Sequence, residues 1–285
     1  MASLNTADSR NAVSVFVRNA SGVTGLVLIL LVTLAALFAP LLAPHDPLAL
    51  SPPDRLQGPS LVHPAGTDQY GRDTLSRIIY GGRTSLAVAG LSILIASLVG
   101  TTLGLLAGYY RGWVDALLMR LTDILLSFPA ILLAIALLAF FGGGFQNLVL
   151  AIGIIYVGPF TRVARGAVFT VREELYVEAG RALGARDWHI VLLVILPNAA
   201  APLIVEVTLR LAYAILAEAS LSFLGLGTQP PTPSWGQMIA DNRRFLSLEP
   251  WASVAPGLAI MVTVLGFNLL GDGLRDALDP RLRAR

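Results

Sequence analysis

The sequence contains no cysteine, and all twenty of its basic side chains are arginine, so lysine is missing too. Without cysteine there are no disulfide frameworks, thiolate zinc sites or cysteine nucleophiles. Without lysine there is no Walker A phosphate grip, so the chain is not itself a P-loop ATPase. Histidine is scarce: His45, His63 and His189 stand far apart in sequence without ligand spacing, and no metal site is expected. Charge is scarce as well, at 13% of residues against about a quarter in soluble domains, while 55% are hydrophobic. Such a chain belongs in a membrane. Its net charge of +2, with arginines gathered at the ends of apolar runs, suits membrane topology and not nucleic-acid binding.

What the chain does have is apolar runs of spanning length. Residues 1–21 are polar, and the run over residues 22–43 is about twenty residues of apolar sequence, enough to cross a bilayer and too long for a cleaved leader. Residues 44–83 are rich in proline, which forbids a regular helix through their first half; turn residues at Gly66 and Gly71 then point to a folded cap. Further spans are expected over residues 84–110, 121–141 (kinked at Pro129), 148–160, 199–224 and 251–270. The fold class is therefore an all-α integral membrane protein of six transmembrane helices. Residues 84–272 form its core and residues 273–285 a tail.

Charge distribution orients it. Arg162, Arg165, Arg172, Arg181 and Arg186 make residues 161–198 the most basic connector, which places it, and both chain termini, in the cytoplasm. Between spans two and three, Arg111 and Arg120 flank a short amphipathic elbow. Gly100, Gly104 and Gly108 form a small-residue ridge, suited either to a second subunit or to a helix of the same chain.

Residues 178–197 hold the densest signal. Leu175, Tyr176, Ala179, Ala182 and Leu183 share one helical face; Gly184 can end that helix, and Asp187 can start a second one closing before Pro197. This two-helix knuckle resembles the EAA loop of importer-type ABC permeases: Glu178, Ala179, Gly184, Leu196 and Pro197 fit its register. Gly180 replaces the usual second alanine and Val194 the usual isoleucine, and a glycine at 180 allows closer helix approach. The resemblance implies a coupling helix that docks in a cytoplasmic ATPase, with Ala182 and Leu183 on its surface.

Three further stretches resemble the dipeptide, oligopeptide and nickel permeases of that class. The first is Gly66, Thr67, Asp68, Gly71, Arg72 and Asp73, matching Gly-Thr-Asp-x-x-Gly-Arg-Asp. Asp68 and Asp73 could in principle do acid–base work, but adjacent Arg72 and the lack of a nucleophile favour a structural, salt-bridged turn. The second stretch surrounds Glu218, read as structural. The third holds Trp235, which with Trp251 is read as a headgroup anchor, a receptor contact being the bolder alternative. Within the fifth span Glu206 and Arg210 are one turn apart, fitting either a lining of the pathway or a neutralised structural pair.

The resemblance implies a type I ABC importer fold in a prokaryotic inner membrane. It also implies a second homologous permease subunit, two ATP-binding subunits or domains carrying ATP and Mg, and an extracytoplasmic solute-binding protein. No cofactor is expected on this chain. Dipeptides or oligopeptides are the expected cargo, with nickel chelates and glutathione as alternatives. An intramembrane enzyme is disfavoured, because Glu206 and Glu218 are twelve residues apart, more than three turns, and no lysine or cysteine can serve as nucleophile. A motor-independent channel has no need of the knuckle.

Overall fold

The computed structural model describes residues 14–278. Arg10 and the tail arginines Arg281, Arg283 and Arg285 lie outside the described residues. Among the described residues the only β-contact is a lone bridge between Thr67 and Asp73. Five helices are long and apolar enough to cross a membrane, and a sharply bent pair brings the number to six when counted as one span.

Helix α1 (Ala20–Leu37) starts at Asn19, whose side chain accepts the Gly22 amide at 2.9 Å. It stops short of the expected residue 43. Pro40 has no amide hydrogen to return to Ala36, so the chain breaks at Phe38 and makes one separate turn, Ala39–Leu42. The proline-rich segment that follows is irregular as expected, apart from a short 3-10 turn at Pro52–Asp54.

Helix α2 (Thr74–Tyr110) is 37 residues long and begins ten residues before the expected span, so the boundary placed at 83/84 falls within a continuous helix. Its start is set by Asp73, whose Oδ2 accepts the Ser76 amide at 2.7 Å. Helices α3 (Gly112–Ser127) and α4 (Ala130–Phe141) are the bent pair, crossing at 88°. The break falls at Pro129 as the sequence indicates. It is a near right angle, and the elbow expected around residues 113–119 is instead the first part of α3. Phe128, preceding the proline, is held extended at φ −92°, ψ 139°.

Helix α5 (Phe145–Arg172) packs along α2, and this settles the two readings of the glycine ridge in favour of packing within the chain. A Cβ on Gly104 would lie 2.5 Å from the Ala164 Cβ and 2.5 Å from the Thr161 carbonyl. The core between these helices includes Val88, Ile93, Ile152 and Phe160, joined by Ile215, Leu221 and Trp235.

The knuckle helices α6 (Leu175–Ala182) and α7 (Asp187–Asn198) precede α8 (Ala200–Phe223), α9 (Trp235–Asn242) and α10 (Trp251–Leu278). Helix α10 runs past the expected end at residue 270. Gly271 and Gly273 stay helical there, because Gly273 is where α1 crosses: a Cβ on it would sit 2.3 Å from the Gly22 Cα. Asn19 also donates to Asp276 Oδ2 at 2.9 Å, tying the two helices together.

Candidate functional site

The knuckle is built on a Schellman turn. The Gly184 amide donates to the Arg181 carbonyl at 2.9 Å and the Ala185 amide to the Gly180 carbonyl at 3.1 Å, with Gly184 at φ +77°. Helix α7 then starts at Asp187, but the Asp187 side chain does not cap it; its Oδ1 accepts from the Tyr109 hydroxyl at 2.6 Å. Contrary to the sequence reading, α7 does not close before Pro197. Its middle, Ile190–Ile195, widens into a π-helical segment, and Pro197 sits in the first turn of the last α-helical stretch, Leu196–Asn198, where a missing amide hydrogen costs little.

One side of the knuckle is clamped and, among the described residues, the other is exposed. Val177, Ile190 and Ile195 bury themselves against Leu105, Tyr109, Val168 and Val171 at the ends of α2 and α5. Arg172 donates to the Tyr109 carbonyl at 2.6 Å. The apolar stripe read from sequence lies on the opposite side: Leu175 is 81% exposed and Leu183 88%. Glu178, Ala179, Ala182 and Gly184 are exposed beside them, as is Trp188. Gly180 approaches no other helix, since nothing lies within 4 Å of a Cβ placed there.

At the other end of α2 the cap closes on itself. Asp68 Oδ1 accepts the Tyr70 and Arg72 amides at 2.8 and 3.0 Å, while Oδ2 accepts Arg72 Nε at 2.6 Å with Arg77 Nε 3.6 Å away. Gly66 and Gly71 supply φ of +72° and +77°. Thr67 Oγ donates to the Asp54 carbonyl and accepts the Gln57 amide at 2.9 Å. Both Asp68 and Asp73 are 2% exposed, with their oxygens engaged inside the cap. Nothing in the spacing pairs His45 with His63. The fold brings their rings to a centroid distance of 4.8 Å beside Asp73. Nearby on α9, burial pushes the Asp241 carboxyl up from its ordinary value, against the pull of Arg72 and Arg77.

The charges in α8 are placed as follows. Arg210 Nε lies 2.6 Å from Glu206 Oε1, and its guanidinium sits 5.6 and 5.7 Å from the ring centres of Tyr156 and Tyr213. Tyr213 could have been found from its i+3 spacing to Arg210; Tyr156, on α5, left no sequence signal. A cavity of about 430 Å³ beside Glu206 is bounded by Val163, Pro202, Leu209 and Arg275. Glu218 is wholly buried, and its Oε1 accepts from the Ser222 hydroxyl at 2.7 Å. Trp235 is not the headgroup anchor expected from sequence. It is 2% exposed, packs over Gly81 and Gly82, and donates its indole N–H to the Ile78 carbonyl at 2.9 Å; Trp251 is 44% exposed. Arg111 of the elbow and two arginines of α5 also have partners that sequence did not disclose. Arg165 meets Asp115 at 2.5 Å, Arg162 meets Asp123 at 2.7 Å and Arg111 meets Glu173 at 2.5 Å.

Residues 100–284, from the middle of α2 to the tail, match the pattern of the binding-protein-dependent transport system inner membrane components. The chain belongs to this family. Residues 9–59 match a second pattern, the N-terminal transmembrane domain of oligopeptide transport permease C. Among curated relatives, a dipeptide transport system permease protein of Alkalihalophilus pseudofirmus is 47% identical over 96% of this chain and 90% of its own length. A glutathione transport system permease protein of Pectobacterium atrosepticum is 46% identical over 94% and 90%. A di/tripeptide transport system permease protein of Pseudomonas aeruginosa is 45% identical over 94% and 90%. The fold is also that of a chain in inward-facing structures of the MetNI methionine ABC transporter, with a TM-score of 0.60 at 19% identity, covering 72% of this chain and 98% of that one. This permease is thus a multi-pass inner-membrane component of an ABC importer with the type I fold, and its α6–α7 knuckle is part of the family-defining region.

Proposed function

We propose that this permease is one of two homologous subunits forming the pathway of an importer driven by two partner ATPases, which bind the ATP and Mg. An extracytoplasmic binding protein delivers the cargo, dipeptides or short oligopeptides. In this reading both termini and the knuckle face the cytoplasm, and the cap faces the binding protein. The observation that carries it is the two-sidedness of the knuckle. Its rear is locked to α2 and α5 through Tyr109, Asp187 and Val177, while Leu175, Leu183 and Trp188 are left bare. Exposed large apolar side chains on a rigid, glycine-ended turn suit a docking surface, because burying them in a cleft releases water without costly reordering.

Nucleotide-driven closure of the ATPases would move the docked knuckle, and its rear contacts would carry that movement into α2 and α5. Peptide cargo is supported by the dipeptide and di/tripeptide relatives, and the glutathione relative supports a γ-linked tripeptide as the second reading.

The decisive experiment reconstitutes the two permeases and their ATPases in liposomes with the binding protein. We expect ATP-dependent uptake of labelled dipeptide, with glutathione and a nickel chelate taken up poorly. Preferred uptake of glutathione would replace the cargo assignment, and uptake that needs no ATP would overturn the importer reading. A reporter fused after Arg186 should read cytoplasmic and one within residues 52–64 external; an external signal at Arg186 would reverse the orientation.

A further inference from the structure

We propose that His45, His63 and Asp73 form a site for a divalent transition-metal ion of the zinc type, one that pins the cap to the start of α2. Asp73 divides its carboxylate between two tasks. Oδ2 caps α2 through the Ser76 amide, and Oδ1 turns the other way, 2.9 Å from His63 Nδ1 and 3.7 Å from His45 Nδ1. All three ligand atoms lie within 4.8 Å of one another. A tetrahedral ion about 2.0–2.1 Å from each ligand atom holds them about 3.4 Å apart, so the set needs the His45 ring to move in and the His63–Asp73 pair to open slightly.

Two features of the cluster call for a cation. His45 Nδ1 is sealed from solvent yet makes no hydrogen bond. Arg72 and Arg77 both turn to Asp68, so the two imidazoles are what faces the Asp73 charge. Two imidazoles and one carboxylate suit zinc, nickel or copper; calcium and magnesium take oxygen sets. Access is provided on the His45 side. Its side chain is 37% exposed and borders a cleft of about 620 Å³ between Pro44, Asp46, Tyr80 and Pro233, which leaves room for a water as fourth ligand.

The three ligands come from three segments: the exit from α1, the middle of the cap, and the first turn of α2. An ion joining them needs the ligating ring nitrogens free of protons, so binding weakens as pH falls.

The test uses the assembled transporter, stripped with a chelator and titrated with Zn²⁺ and with Co²⁺. We expect one ion per copy of this chain, the strong visible bands of four-coordinate cobalt, and a rise in the unfolding temperature. His45→Ala and His63→Gln should each weaken affinity by about tenfold or more. His189→Ala, at the far end of α2, should leave it unchanged. Absence of one-to-one binding overturns the site, and so does unchanged affinity in His45→Ala, whose half-exposed side chain can be removed without disturbing the fold. Because the readout is metal binding and not transport, failure here leaves the importer reading standing.

Discussion

Arg210 Nε sits 2.6 Å from Glu206 Oε1, one turn apart on α8, and the paired guanidinium is flanked by the rings of Tyr156 and Tyr213. If mutual neutralisation is their role, Glu206→Gln alone leaves an uncompensated cation. Complex yield should then fall, by less than the about 3–5 kcal/mol of a fully buried pair because both side chains keep some exposure. Glu206→Gln with Arg210→Met should recover the yield. Recovered yield without recovered uptake would assign the pair to the pathway, and additive losses in both assays would sink the pairing.

Gly184 offers a cleaner substitution, since nothing lies within 4 Å of its missing Cβ and the whole cost falls on the backbone at φ +77°. Asparagine tolerates that conformation and valine does not. ATP hydrolysis should stay coupled to uptake in the order Gly184, Gly184→Asn, Gly184→Val, with insertion and assembly unchanged. Equal coupling in all three would show that the turn does not shape the docking surface.

Two glycines of the α2–α5 helix pair, one at their interface and one facing away from it, should respond differently. Gly104→Val forces the helices apart at Ala164 and Thr161, at a cost of about 1–3 kcal/mol. Gly166 on α5 faces open space, so Gly166→Ala should be neutral or stabilising by up to about 1 kcal/mol through helix propensity. Thermal unfolding of the purified protein measures both, and equal responses would contradict the packing.

Asp241 gives a pH dependence. Its raised carboxyl pKa, caused by burial and opposed by Arg72 and Arg77, means that the folded state holds the proton more tightly than the unfolded chain. The stability it adds is complete below the ordinary carboxylate value and is lost as pH rises through the raised one. Asp241→Asn should therefore unfold at a higher temperature than the parent at neutral pH, with the gap closing in acid. A gap that widened in acid would reverse the assignment.

The apolar runs disclosed the crossings, because bilayer thickness fixes their length, and proline placed the break at residue 129 correctly. The ends of helices were harder to read. Asp73 extends α2 outward by a hydrogen bond that hydropathy does not register, and Gly271 and Gly273 look like a helix stop until α8 is seen lying against the first and α1 against the second. The stripe Leu175, Ala182, Leu183 was legible as an amphipathic face, yet periodicity alone could not say that it is the bare side of the knuckle. Trp235 was misread because an indole next to prolines has the composition of a headgroup anchor; only the approach of α2 shows it to be core. The convergence of His45 and His63 on Asp73 depends on how a loop folds back, which spacing does not encode.

Helix α2 finally has a mechanical consequence. At 1.5 Å per residue its 37 residues make a rod of about 55 Å, well beyond the about 30 Å of a hydrocarbon layer. One end is fastened by Asp73 and by the Trp235 indole on Ile78, the other by the Tyr109 hydroxyl on Asp187. A seesaw of that length tilting by about 5° about its midpoint swings each end by about 2 Å in opposite directions. Tilting of that rod as one body therefore moves the cap and the knuckle together, which gives α2 the means to link them mechanically.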